Sequence, residues 1–444
     1  MSAAAVLPEL ADFALEPLDQ PEDVLHAGRR SLLNAVALAV GAARHPAVEA
    51  ACRVVSRLTR KAEASIPGRP DRVEAEWAVF VGGIAVHAED YDDTHLATVV
   101  HPGAPVVPAA LAVSELCGSS GREMLEAVVM GVEVACRMGL GLGPGHFDRG
   151  WHLTGSTGRY GAAAAAARLA GLDAAALASV WARCAAETAG VQAAFGTMTK
   201  PYHPGKAAYD GILAVRDALD AHRPRPMSAE QETTMFRALG PDPDPSKVIA
   251  GLGETWEIAR NTFKPYACGI VSHPVIDAAV EARTRGVDGI TRVTVTVNPI
   301  VLDVMGVQEP ANGLESKFSV YHCAAIGLLD GMGGPPQFSD DRVNSPDTGA
   351  LRRKVDVVTD QNMERDEARL AVDLSDGRRI DVTIDHARGS VERPMTDEDL
   401  AFKARAVMQP VIGDAADDLI DMVYSVEAYG ARDITQVASG RATR

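Results

Sequence analysis

Apolar residues recur at helical spacing through the first part of the chain. Leu25, Leu32, Leu33, Val36 and Val40 form one such stripe. Pro21, Glu22 and Asp23 stand just before it, a proline at the start and acids near the positive end of the helix dipole. The same spacing predicts helices over about 45–60, 73–88, 104–117, 121–140, 155–170, 173–191 and 205–221. Within this stretch the run Ala162 to Ala167 lets neighbouring helices approach closely, and Leu169 and Leu172 continue the apolar pattern.

The period changes after about residue 285. Val293, Val295 and Val297 alternate with Thr294 and Thr296, the two-residue repeat of a half-buried strand. Leu370–Leu374 and Ile380–Ile384 flank Asp376-Gly377, a hairpin signal, and Lys354–Thr359 reads as another strand. Ser316–Leu329 between them is apolar and helical, and helical patterning returns over about 397–410 and 414–429. The predicted fold is therefore mostly α with an α+β second domain. Residues 1–262 and 398–444 form a large all-helical domain, and residues 263–397 form a smaller α+β lid inserted before the C-terminal helices. A cleft between two such units is a favoured place for a small-molecule site.

Composition narrows the function classes. The 444-residue chain is 47% hydrophobic and only 5% aromatic, ample for packed helices rich in alanine. A formal net charge of −17 argues against nucleic acid or an anionic membrane surface as partner. It also makes any local positive site conspicuous. The six cysteines are scattered without a CxxC pair, which argues against a disulfide framework or structural zinc. With no basic leader and no apolar run of membrane-spanning length, the expected location is cytoplasmic.

Five segments carry candidate chemistry. The first, His87-Ala-Glu-Asp-Tyr-Asp-Asp-Thr-His95 and on to His101-Pro102, packs four carboxylates and three histidines between apolar runs. Burying such groups is costly unless they are paired or used. On a helical turn Asp90 and Asp93 would share a face, with Thr94 beside Asp90. The residue types suit acid–base work, against a solvated helix end or a metal site as the alternatives. The second, Gly150–Gly158 with His152, is a glycine-rich turn entering the alanine-rich helix, a setting that attracts anions. The third holds Lys200 before Pro201, expected in a loop rather than a helix and suited to binding a carboxylate or stabilising an enolate. The fourth, Phe263–His273, gathers Lys264, Cys268, Ser272 and His273 at the domain junction, with Ser272 a candidate helix cap. The fifth, Lys317–Ala325, sets Tyr321 and His322 in an apolar helix start.

In this order the five segments resemble the MmgE/PrpD family, which includes 2-methylcitrate dehydratases, cis-aconitate decarboxylases and iminodisuccinate epimerases. The resemblance runs from about residue 20 to 430, and its more specific parts are Asp90-Tyr-Asp-Asp-Thr…His101-Pro and Gly196-Thr-Met-Thr-Lys-Pro201. It implies a helical domain under an α+β lid with the active site between them. It also implies a homodimer, and reactions that need no metal or organic cofactor. By resemblance Asp90, His101, His152 and Lys200 are the expected catalytic residues. Thr94 and Lys264 are the expected substrate contacts, joined by Tyr321 and His322 near the position of the family's lid tyrosine. The chain departs from the decarboxylases at Gly269, where they carry a histidine five residues after the junction lysine.

These reactions break a weakly acidic C–H or a C–COO⁻ bond beside a carboxylate. Lys200 and Lys264 would neutralise substrate carboxylates, and Asp90 and His101 would move the proton. The leading expectation is a hydro-lyase of the 2-methylcitrate dehydratase type acting on a small hydroxy di- or tricarboxylate. Decarboxylase, epimerase or isomerase chemistry on a related polycarboxylate is the alternative, and a non-catalytic carboxylate-binding protein on the same fold is a second.

Overall fold

The computed structural model describes residues 5–17, 20–220 and 225–440. Residue 221 of the helix predicted over 205–221, and residues 1–4 and 441–444 of the predicted helical domain, lie outside the described residues.

One large hydrophobic core is built by helices. At its centre is Leu153–Leu169, where Ala162 to Ala167 are all fully buried. Helices Gly103–Cys117, Gly121–Leu142 and Thr199–Leu219 pack around it. Small side chains set these distances. A Cβ on Gly83 of helix Ala75–His87 would lie 2.7 Å from the Cα of Gly205, so the two backbones nearly touch. That crossing brings the C-terminal end of one helix, His87, toward the N-terminal end of the other, Lys200. The C-terminal helices Asp397–Ile412, Ala415–Tyr424 and Ala431–Ala438 contribute Leu400, Ala404, Met408, Leu419, Val423 and Ile434 to this same core.

A second core belongs to the α+β part. Its four-stranded sheet runs Val355–Thr359, Ile290–Val297, Ala368–Leu374, Arg379–Ile384. The first pair is parallel and the other two are antiparallel. Val293, Val295 and Val297 are fully buried while Thr294 and Thr296 are half-buried, as the two-residue repeat requires. Helices His273–Thr284 and Val320–Asp330 cover the sheet. The hairpin turns at Gly377, whose φ is 84°. Two residues of the helical part, Leu38 and Tyr91, pack into this second core and join it to the body.

Several expectations are corrected. The helix predicted over 73–88 ends at His87, and Asp90 is not on a helical turn: its φ is +50°. Asp93–His95 is a short strand paired antiparallel with Asn261–Phe263, so Asp93 and Asp90 do not share a face. Lys200 lies inside a helix after all. Thr199–Leu219 accommodates Pro201 in its first turn, where the missing N–H needs no partner. The helix predicted over 173–191 stops at Ala186, and Ser316–Leu329 is broken between Ser316 and Val320. Ser272 precedes helix His273–Thr284 but does not cap it; its hydroxyl donates back to the Gly269 carbonyl. The scattered cysteines include one close pair, Cys268 and Cys323, with sulfurs 3.8 Å apart.

Candidate active site

The centre of the site is a carboxylate held between two ammonium groups. Asp90 Oδ1 accepts from Lys200 Nζ at 2.8 Å and from Lys264 Nζ at 2.7 Å. Lys264 also donates to the Asp90 carbonyl at 3.1 Å. Three distant segments meet here, and the local folding explains how. Pairing of Asp93↔Phe263 places Lys264, the next residue, beside the Asp90 loop. Lys200 arrives on the first turn of the helix that crosses at Gly83 and Gly205. Asp90 is 4% exposed, Lys200 7% and Lys264 2%. Burial alone would raise the Asp90 pKa, but Lys200 and Lys264 outweigh it and hold the carboxyl well below its usual range. Burial lowers the pKa of Lys200 despite Asp90, whereas Asp90 and Asp92 together raise that of Lys264 against burial. Of the two, Lys200 gives up a proton more readily.

Beside this triad lie imidazoles whose far nitrogens face one another. Asp92 Oδ2 is 2.6 Å from His87 Nδ1, so His87 carries its proton there. His101 Nδ1 donates to the Asp93 carbonyl at 2.8 Å, with Thr94 Oγ1 at 3.1 Å. With Nδ1 donating, His101 keeps the lone pair on Nε2. His152 Nδ1 meets His203 Nδ1 at 3.0 Å. Burial, with Lys264 and His87 nearby, lowers the His101 pKa to about 3. Burial also lowers His152 well below 6.5 and His203 to about 4, so these rings are neutral at pH 7. His87 Nε2, His152 Nε2, Asp90 Oδ2 and Asp92 Oδ1 have no hydrogen-bond partner. Orphaned atoms of this kind mark a place where a ligand would complete the bonding.

Two non-glycine residues adopt left-handed backbone, Asp90 (φ 50°) and Val99 (φ 57°), and they bracket the segment carrying Asp92, Asp93 and Thr94. Such conformations cost about 1–3 kcal/mol and persist where the surroundings fix them. Asp93 does the fixing from below. Both its oxygens accept from Gly103 N–H, and Asn261 Nδ2 donates at 2.6 Å. A Cβ at Gly103 would lie 2.7 Å from Asp93 Oδ1. Burial and the neighbouring Asp92 raise the Asp93 pKa to about 7. Lys403, from the returning C-terminal helix, ties the loop to the junction by donating to Tyr91 O, Asn34 Oδ1 and Lys264 O.

The lid closes the site with apolar groups. Phe195 of the body and Phe318 of the lid stack with centroids 6.2 Å apart, and Lys200 Nζ lies 5.0 and 5.4 Å from their rings. Phe195 also meets His152 edge-on at 5.2 Å. Lys317 latches the lid to the body by donating to the carbonyl and carboxylate of Glu89 and to Ala267 O. At Gly269 a Cβ would come within 2.3 Å of Met305 Sδ, so the thioether fills the space beside that position.

Six of the expected residues thus gather: Asp90, Thr94, His101, His152, Lys200 and Lys264. Two do not. His322 faces away into the lid, its Nε2 2.9 Å from Gln337 O and its ring against Phe338. Tyr321 Oη accepts from Gln308 Nε2 at 3.2 Å. Neither touches the cluster, because helix Val320–Asp330 starts only after Phe318 has supplied the lid's contact. Sequence reasoning passed over His87, Asp92 and His203, although the first two lie inside the first segment and His203 follows two residues after Pro201. Phe195 and Phe318 gave no signal, since an isolated aromatic reads as core.

Comparison with known proteins places this geometry in context. The profile of the MmgE/PrpD N-terminal domain matches residues 9–247, and that of the MmgE/PrpD C-terminal domain matches residues 266–427. The chain belongs to the MmgE/PrpD family. It is 28% identical over 380 residues to the cis-aconitate decarboxylase of Homo sapiens, covering 81% of this chain and 78% of that protein. It is 23% identical over 442 residues to the cis-aconitate decarboxylase of Aspergillus terreus, covering 92% and 90%. In this MmgE/PrpD protein Asp90, His101, His152 and Lys200 all come from the first matched domain, Phe318 comes from the second, and Lys264 lies between them. Among the described residues no helix is long and apolar enough to cross a membrane.

Proposed function

We propose that this lyase releases CO₂ from a small unsaturated polycarboxylate of the cis-aconitate type. The observation that carries the reading is the pair of buried ammonium groups on one carboxylate, set against His87 and His152, whose Nε2 atoms have no partner. The relatives, both cis-aconitate decarboxylases, lead in the same direction. This favours carboxy-lyase over hydro-lyase chemistry as the main reading.

The chemistry divides into two tasks. Breaking the C–COO⁻ bond sends its electron pair into the adjacent double bond and on toward a remaining carboxylate. Lys200 and Lys264 neutralise that growing charge at low local dielectric. The carbanion then needs a proton. A bound polyanion opposes the effect of burial on His101, which lets the imidazole take up a proton from water and deliver it to carbon. His152 and Thr94 orient the acid, Thr94 through His101. Asp90 holds both lysines in place until the substrate carboxylates arrive.

A second reading has one observation in its favour. Met305 beside Gly269 offers a thioether where the resemblance implies an imidazole in the decarboxylases, and an apolar group there suits an alkyl-substituted acid such as 2-methylcitrate. NMR of the protein with a panel of polycarboxylates in D₂O separates the readings. Conversion of cis-aconitate to an unsaturated dicarboxylate one carbon shorter is the expected result. Water loss from 2-methylcitrate without CO₂ release selects the hydro-lyase, and deuterium exchange without net conversion selects an epimerase. The absence of any turnover or exchange rejects catalysis on these acids. We also take the working form to be a cytoplasmic homodimer. An exposed apolar groove lined by Val54, Leu58, Met198 and Tyr202 supports the dimer, which light scattering tests.

A further inference from the structure

Leaving a buried polar atom without a partner costs about 1–3 kcal/mol. Two such atoms, His87 Nε2 and His152 Nε2, belong to rings that lie side by side. His101 completes the group, with ring centroids 4.9 Å from His87 and 6.2 Å from His152. Each ring is gripped from behind through Nδ1, by Asp92, by the Asp93 carbonyl and by His203 respectively for His87, His101 and His152. A carboxylate or carbonyl behind an imidazole is the arrangement that fixes the tautomer and aim of a metal-ligating histidine. One nitrogen from each of the three rings lies within 4.8 Å of the others.

We propose that His87, His101 and His152 form a site for one divalent transition-metal ion of the zinc type. Three imidazole nitrogens suit zinc or cobalt rather than magnesium or calcium, which prefer oxygen. Tetrahedral zinc–nitrogen bonds set ligand atoms about 3.3 Å apart, so the rings draw inward on binding. Asp90, which pairs with both Lys200 and Lys264, and Asp92, behind His87, offset the positive charge that the two lysines bring to the site. The fourth position is left for water or a substrate carboxylate. The ion takes the Nε2 lone pair of His101 and so acts as an inhibitor. That consequence rests on the proton-transfer role proposed for His101, whereas the binding itself does not.

Cobalt titration of the full chain, followed by its ligand-field spectrum and by calorimetry, tests the site. One tetrahedral ion per chain is expected. His87→Ala and His152→Ala, each shown to be folded by circular dichroism, lose at least tenfold in affinity. Asp92→Asn loses about 10–100-fold. His152→Asn serves where an alanine variant does not fold. Asp366, His386 and Glu392 form a separate exposed cluster, so His386→Ala should bind as wild type does. No tetrahedral cobalt in the wild type, unchanged binding in the folded His152 variant, or loss of binding in His386→Ala overturns the proposal. Zinc should abolish turnover and a chelator restore it. Cobalt bound as described with turnover undiminished leaves the site standing and removes the role given to His101.

Discussion

The body and the lid contribute opposite chemistry to the same buried cluster. From the body come Asp90, His87, His101, His152 and Lys200, charged or polar groups each locked by a second group behind it. From the lid comes Phe318, against Lys200, with Lys317 as a latch outside, while Met305 stands next to Gly269. The body is rigid where reacting groups need fixed positions, built on helices whose glycines allow backbone contact. The lid can vary its apolar lining at little cost to the reaction centre. On the proposed function, proton handling falls to the body and choice of substrate to the lid.

The sharpest test of that division is to remove one charged or polar group of the body and one of the junction. His101→Ala and Lys264→Met should each lower kcat/KM by about 10²–10⁴, read by steady-state kinetics on folded protein. Lys264→Met should also lower stability, by less than the ~3–5 kcal/mol of a broken buried pair, because Lys200 stays with Asp90. Activity near wild type in either variant would break the comparison.

Acid stability is the next largest effect. His101, at about 3, and His203 and His322, at about 4, stay neutral in the folded state, while unfolded histidine protonates near 6.5. The unfolded state therefore binds more protons, and stability falls as pH drops from about 6.5 toward 4. Asp93, raised to about 7, works the other way between about 7 and 3.8, but three imidazoles outnumber it. Below 3.8 the depressed Asp90 and Asp92 add further loss. Thermal melting across this range should show a steady decline, and a flat profile would contradict the neutral-imidazole picture.

Smaller effects sharpen the lid's side. Gly269→Ala pushes a methyl against Met305 Sδ and should cost about 1–3 kcal/mol by thermal melting, with Met305→Ala relieving it in the double variant. Phe318→Ala removes a ring from Lys200 and should raise KM by about tenfold while kcat changes less. Tyr321→Phe should leave kinetics within about twofold and cost no more than its hydrogen bond to Gln308, about 0.5–1.5 kcal/mol.

Much of this was legible in the residues. Helical spacing located the long helices, and the valine–threonine alternation located the central strand, because each periodicity records which side faces a core. The site segments also stood out, since buried charge is rare. The misreadings share a cause. Asp90-x-x-Asp93 fits a helical turn by spacing, and Lys200-Pro201 fits a loop by local sterics. Both were overruled by partners far away in the chain, Asn261–Phe263 pairing with one and the Gly83–Gly205 crossing supporting the other. Tyr321 and His322 were chosen by proximity to a family position, yet one turn of backbone sends Phe318 inward and those two elsewhere.

What the sequence determined alone was the layered order of helices and strands, the acidic character and the stock of reactive groups, all local or additive properties of the chain. Only the tertiary structure decided which lysines share Asp90, which nitrogen of each histidine is engaged, and which aromatic rings meet over Lys200. The lysine and aromatic contacts join residues more than a hundred positions apart, and no local pattern encodes them.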